Sequence, residues 1–404
     1  MDEVGINFQY GVREQGLLLN ILLTSFIFFC VFDPANVLFD GKILIFIALW
    51  LYSFFLSQIH SQIPPILYLY VGFFVGVPLL SLAVYLTYGG SSQFEGFNLL
   101  KGYVLITFSI LLVRLRVNIL PRLSLVLSSL AITMIATAFV FNLYPETKLI
   151  VRELSRNSGL IFLHERDFGN DVVIDQIYFS TSPMLLISMA YYYLRMKLDS
   201  KAFFIKIKTG FMALLSFSAL IVGGTRSNIL SAVILLIILW TITSNNKRRD
   251  LSIIALVLVA LNAYFINDLA AFFDPSEYSN NLKLNLVEDY FRIMSNVRTI
   301  FLGQGLGAYV YWNTKGYEFY ISELTYFEIF RNFGFPGGTI IILLLLFPLY
   351  KYLQKKDVMF RGLGWAYLMF LILCFFNPNL FNSMGVTIIS MMLANLHIPK
   401  AHIL

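Results

Sequence analysis

The chain has 404 residues, 58% apolar and 13% charged, with a mean hydropathy of +0.75. Charged residues at half the roughly 25% of an average soluble domain cannot surface a water-soluble fold of this size, and so apolar a chain is not a disordered one. The net charge of +6 is spread along the sequence with no basic stripe, which excludes a nucleic-acid binder and leaves a polytopic membrane protein.

The N-terminus, MDEVGINFQYGVREQG, is polar and acidic. No small-residue cleavage site follows the first apolar run, so that run reads as a retained anchor. A span needs about 20 mostly apolar residues, with roughly 17 as the lower limit. Twelve candidates follow in chain order: 16–32, 43–58, 66–88, 97–113, 119–143, 177–194, 209–223, 227–243, 251–267, 335–350, 362–377 and 383–397. Lys101 lies inside the fourth, near one end, where it can snorkel.

Lys and Arg set the sidedness. With the N-terminus cytoplasmic, the inner side holds the short basic loops RLRVNILPR (114–122), RMKLDSKAFFIKIK (195–208), NNKRRD (245–250) and KYLQKKDVMFR (351–361). That side then carries 17 Lys and Arg against 6 Asp and Glu, and the opposite side 11 against 17. Two outer segments are long, 144–176 and 268–334, and their apolar and aromatic residues at helical spacing predict folded caps. Within the second, LVEDYFRIMSNVRTIFLG (286–303) repeats apolar residues along one helical face. The fold class is therefore an all-α polytopic membrane protein of about 12 transmembrane helices. It forms a single membrane domain over 1–404, with outer loops at about 144–176 and 268–334.

Cys30 and Cys374 sit in apolar runs, and His60, His164, His397 and His402 are scattered. Neither a disulfide framework nor a His/Cys metal centre follows, and no cofactor or metal is expected.

Seven of the eleven outer cations are arginines: Arg152, Arg156, Arg166, Arg226, Arg292, Arg298 and Arg331. A planar guanidinium suits bidentate phosphate or carboxylate binding, and pairing with the outer acids is the bland alternative. Arg226 lies in IVGGTRSNIL, between two apolar runs with almost no loop. Gly223, Gly224 and Thr225 break the helix there, and Ser227 can cap the next one. A guanidinium beside a helix N-terminus at the membrane boundary favours an anion. GQGLG (303–307) has no strand before it and no βαβ unit around it, so it reads as a turn that admits close backbone approach rather than a nucleotide loop. In YEFYISELTYFEIFRNFGFPGG (317–338), Glu328 and Arg331 have the i,i+3 spacing of a local ion pair, which makes Glu328→Gln a mild change. Glu323 has no basic residue at i+3 or i+4 and sits among Tyr and Phe, the setting of a general base. Tyr309, Trp312 and Tyr320 offer flat rings of the kind that stack on sugars, and interfacial belts use the same residues.

An apolar span, GTRSNIL and another span resemble the (S/T)R-containing hairpin of the O-antigen polymerase and ligase superfamily. FLGQGLGAY is similar to that superfamily's G-x-G-x-G-x-Y turn, and SELTYFEIFRNFGFPGG resembles the segment leading into its next span. The resemblance covers about 205–345, a third of the chain. It implies a GT-C-like fold, in a bacterial inner membrane, whose active site faces the periplasm and transfers glycan without a metal. The partners it implies are an undecaprenyl-pyrophosphate-linked oligosaccharide, membrane lipid and a chain-length regulator. Ligases begin the last motif with His, whereas this chain has Glu323 there, which points to the O-antigen polymerase family. In this reading Glu323 is catalytic, Arg226, Arg292 and Arg298 hold the pyrophosphate, and direct attack inverts the anomeric centre. The alternatives are an O-antigen ligase acting on lipid A core and a lipid-linked oligosaccharide flippase. A flippase predicts internal repeats and midplane charges, and the sequence has neither.

Overall fold

A computed structural model describes residues 16–34, 41–55, 63–87, 93–158, 161–167, 173–198, 203–223, 225–244, 246, 278–322, 324–375 and 379–398. Six helices among the described residues are long and apolar enough to cross a membrane. They are α3 (Pro65–Thr87), a run over Glu95–Leu115 that joins α4 (Gln93–Val104) to α5 (Phe108–Leu115) through a 3₁₀ turn, α6 (Leu120–Leu143), α9 (Phe203–Val222), α10 (Arg226–Thr243) and α13 (Thr325–Leu353). Four shorter apolar helices accompany them: α1 (Leu17–Phe32), α2 (Lys42–Phe55), α14 (Val358–Leu373) and α15 (Ser383–Asn395). The protein is a helical membrane bundle. The expected ninth span, 251–267, lies outside the described residues.

The lipid-facing surface is legible on α6. Leu125, Ile132 and Phe139, seven residues apart, are exposed, while Leu123, Leu127, Leu130 and Met134 point inward. In bilayer an exposed leucine stripe has no cost, because lipid tails are as apolar as the side chain. At the centre stands α8 (Leu185–Leu198), packed against α6, α9, α10 and α14, with Leu185 to Ile187 fully buried. Ser188 links it to the Ser124 carbonyl (3.3 Å) and the Ser216 hydroxyl (3.2 Å), so these groups meet each other rather than lipid.

The expected span 177–194 is corrected here. Its first residues belong to strand β2 (Val173–Phe179), a 3₁₀ turn over Ser182–Met184 follows, and the helix begins only at Leu185. Fourteen residues rise about 21 Å, short of a roughly 30 Å hydrocarbon layer. The apolar run is continuous through strand, turn and helix because all three are buried, and hydropathy cannot separate them.

The described residues of both long segments, 144–176 and 268–334, fold, as the spacing predicts, and both segments contain strands that it does not predict. The first holds α7 (Thr147–Ser158) and a hairpin of β1 (Ile161–Asp167) with β2, pairing Ile161 with Phe179. The second holds α11 (Tyr278–Ile293), α12 (Val297–Leu302) and a hairpin of β3 (Val310–Trp312) with β4 (Tyr317–Phe319). The single helical face read over 286–303 is thus two helices. Asn296 ends the continuity by accepting from the Arg298 N–H at 2.9 Å, as a cap does. This cap has its own apolar core of Leu286, Tyr290, Trp312 and Leu324.

Candidate functional site

Helix ends converge at one end of the bundle. Lys42, at the start of α2, is 2% exposed and donates to the carbonyls of Asp33 (2.6 Å) and Pro34 (3.3 Å), just past the end of α1, and to the Ser383 hydroxyl (2.9 Å) opening α15. The ammonium thus satisfies orphan acceptors at a helix C-terminus, where the dipole favours a cation. The start of α13 meets the end of α14 through Thr325 N–H and the Phe375 carbonyl.

The GQGLG turn joins these ends. Gln304 and Gly305 donate to the carbonyls of Arg331 (2.7 Å) and Asn332 (3.3 Å), and Leu306 donates to Ser81 on α3 (3.4 Å). Gly305 has φ of +96°, and a Cβ there would lie 2.5 Å from the Tyr85 Cβ, so both backbone and space demand glycine. The turn sits where α13 kinks at Gly334 (φ 65°, ψ 178°), with Pro336 just beyond. The kink separates the cap-facing first turns of α13 from its membrane-crossing remainder.

Glu328 and Arg331 form the local pair read from their spacing, at 2.6 Å, but in a setting the spacing does not reveal. Arg331 is fully buried. Besides Glu328 it donates to the carbonyls of Ala308 (2.9 Å) and Tyr320 (2.7 Å), holding both flanks of the β3–β4 hairpin to α13. The other oxygen of Glu328 accepts from the Tyr290 hydroxyl at 2.7 Å. Burial and the Glu328 charge together push the Tyr290 phenol well above its ordinary range, so it stays a donor.

A cavity of about 830 Å³ opens at this end. Its wall is apolar along Ile43, Phe46 and Leu105. Its polar groups include Lys42, Glu95, Asn98, Lys101, Tyr320, Ser322, Thr325 and Glu328, from α2, α4, the segment after β4 and α13, with Asn332 on α13 and Asn382 and Ser383 at the start of α15. That size falls within the roughly 300–1,000 Å³ of small-molecule sites.

The sequence-derived candidates fall unevenly around it. Glu323 lies outside the described residues, while Ser322 and Thr325 on either side line the cavity. Tyr320 lines it as well. Tyr309 is 40% exposed and packs on Tyr320 at 5.5 Å between ring centroids. Trp312 is fully buried, edge-on to Tyr290, with its indole N–H on the Phe319 carbonyl at 3.0 Å; its faces are spent on the cap core rather than offered to a sugar. Arg226 is half-buried in the first turn of α10. Thr225, not Ser227, caps that helix by accepting from the Asn228 N–H at 3.3 Å. Arg292 pairs with Asp289 (3.1 Å) and donates to the Tyr311 carbonyl (2.9 Å), and Arg298 is exposed on α12. None of the three arginines lines the cavity, whereas Lys42, Lys101 and Glu95 do. The sequence signal for these was polarity inside or beside apolar runs, which snorkelling also explains.

Asp289 is the hinge between α11 and the β3–β4 turn. It accepts from the Thr314 N–H (3.0 Å) and hydroxyl (2.7 Å) and from Arg292. Burial pushes its carboxyl up, but these donors outweigh burial and hold it below the ordinary carboxylate value of 3.8. A depressed folded value gives stability that is present above 3.8 and lost as pH falls through the folded value. Protection of the Thr314 amide from hydrogen exchange, relative to an unstructured amide at the same pH, is therefore expected to hold at pH 5–7 and to fall in stronger acid, and to be low throughout in Asp289→Asn.

No protein-family model matches the chain, and no curated protein matches it.

Proposed function

We propose that this chain is an O-antigen-type polysaccharide polymerase, joining undecaprenyl-pyrophosphate-linked repeat units at the periplasmic face of a bacterial inner membrane. One observation carries the reading. Two of the three segments with that resemblance, GQGLGAY and SELTYFEIFRNFG, meet at a single cavity at the end of the membrane bundle, where apolar wall and ionisable groups adjoin. A lipid-linked glycan needs both in one place. GTRSNIL supplies none of the lining, and Arg226 remains a pyrophosphate candidate on sequence grounds.

In this reading an acceptor hydroxyl oxygen bonds to the donor's anomeric carbon, and the carbon–oxygen bond to pyrophosphate breaks with its electrons passing to the phosphate. The hydroxyl proton goes to the Glu323 carboxylate. The leaving charge is met by cations rather than a general acid.

Envelope polysaccharide from a deletion strain, resolved by gel, tests this. Loss of the ladder with a single repeat unit retained supports a polymerase; loss of all capped core makes the chain a ligase; an unchanged ladder overturns both.

The orientation carries its own expectation. Single cysteines at Glu153 and Ser295, both exposed at the loop end, are expected to react with an impermeant thiol reagent in intact spheroplasts. Cys30 and Cys374 are buried and give little background. Labelling of both sites only after lysis inverts the topology.

A further inference from the structure

On α4, Glu95, Asn98 and Lys101 follow one another at three-residue spacing, so they are neighbours along the helix, and all three line the cavity. The positions between and beyond this row are apolar and line the same cavity: Phe97 and Val104 are exposed, and Leu100 and Tyr103 are buried. A polar row on an otherwise apolar helix is costly at a membrane and is a functional-site hypothesis by default.

The chemistry along the row alternates. Glu95 is an acceptor. Lys101 donates to the Asn98 carbonyl oxygen at 2.9 Å, which leaves the Asn98 NH₂ as the donor end of that amide. Lys101 is itself exposed and carries the charge. Tyr320 lines the same cavity, where burial and the charge of Glu95 push its phenol up, and its ring is backed by Phe319 at 4.9 Å and Tyr309 at 5.5 Å. Acceptor, donor and a braced aromatic ring within one cavity fit vicinal hydroxyls and the C–H face of a pyranose. A purely acyl ligand has no use for them.

We infer that the α4 row Glu95–Asn98–Lys101, with Tyr320 beside Glu95, seats a hydroxyl-rich sugar ring whose anionic substituent lies at the Lys101 end. This rests on the polymerase reading only in taking the ring to belong to a lipid-linked repeat unit. Glu95 and Asn98 then select the hydroxyl pattern, and the apolar wall of Ile43, Phe46 and Leu105 receives what is attached beyond the anion.

The test uses the full-length protein in detergent. The probe is the lipid-free repeat-unit oligosaccharide, released by mild acid from the host strain's own polysaccharide and titrated by saturation-transfer NMR. Wild type is expected to bind. Glu95→Gln and Asn98→Ala are each expected to weaken binding about tenfold, the effect of one hydrogen bond to a charged or well-placed group. Ser129→Ala, on the lipid-facing side of α6, is expected to bind as wild type does. Should Glu95→Gln fail to fold, judged by gel filtration, Asn98→Ala and Tyr320→Phe decide. No transfer to wild type at millimolar oligosaccharide overturns the inference, as does wild-type affinity in Glu95→Gln and Asn98→Ala together. Phosphatidylglycerol that co-purifies with wild type, is lost from Lys101→Met, and is not displaced by oligosaccharide also overturns it, in favour of a resident phospholipid. Binding through Glu95 with an intact ladder in the deletion strain keeps the sugar seat and removes the polymerase; a lost ladder with unaltered binding in the variants does the reverse.

Discussion

Glu328→Gln is expected to destabilise the cap over 278–322 by about 3–5 kcal/mol, the usual cost of removing one partner from a buried ion pair. The spacing alone suggests a mild change, because an exposed i,i+3 pair is worth a few tenths of a kcal/mol. Burial reverses the ranking. Arg331 is fully enclosed, so a neutral partner leaves a guanidinium without its counter-charge in a place water does not reach. The loss spreads further, because the same guanidinium holds the carbonyls of Ala308 and Tyr320, and the same carboxylate anchors the Tyr290 hydroxyl. Limited proteolysis over 303–322 and thermal unfolding in detergent measure it: the variant is expected to be cut in the hairpin under conditions that leave wild type whole. Adding Arg331→Met to Glu328→Gln removes the orphan charge and is expected to restore part of the stability. Recovery stays partial because the two backbone acceptors still lose their donor. An unchanged melting temperature in Glu328→Gln would show that the pair is solvated.

On the polymerase proposed above, Glu323→Gln is expected to abolish chain extension while the protein still binds lipid-linked repeat units. A positioned base contributes about 10²–10⁴-fold, and glutamine keeps the size and hydrogen bonding of glutamate but cannot take the proton. Because Glu328→Gln is expected to act through folding, the two variants separate by readout. Glu323→Gln should melt as wild type does and be inactive; Glu328→Gln should melt early, with activity falling in step with the folded fraction. Full activity in Glu323→Gln removes it as the base and transfers the role to the cavity carboxylates, Glu95 and Glu328.

The membrane character of the chain, most of its described helices and the folding of the two long segments between them were legible in one dimension. Hydropathy is a local average, and a helix that must satisfy its own backbone in lipid is a local object. The turn at GQGLG was equally legible, since three glycines in five residues have few other uses. The Glu328–Arg331 pair was readable too, but as spacing only.

Burial and convergence were not legible, because both depend on residues far apart in the chain. Nothing near Arg331 announces that Ala308 and Tyr320 will close over it, and nothing near Trp312 tells that its ring faces inward. The apolar run at 177–194 concealed a strand because strand, turn and helix there are all core, and a continuous apolar signal has no period to read. The same reason set the cavity apart from the arginines. Sequence could rank cations by their chemistry, which favoured Arg226, Arg292 and Arg298. Only the packing of α2, α4 and α13 around a shared void decided that Lys42, Lys101 and Glu95 stand on its wall. Local chemistry determined which residues could act, and the long-range contacts that order helix ends against one another determined which of them meet.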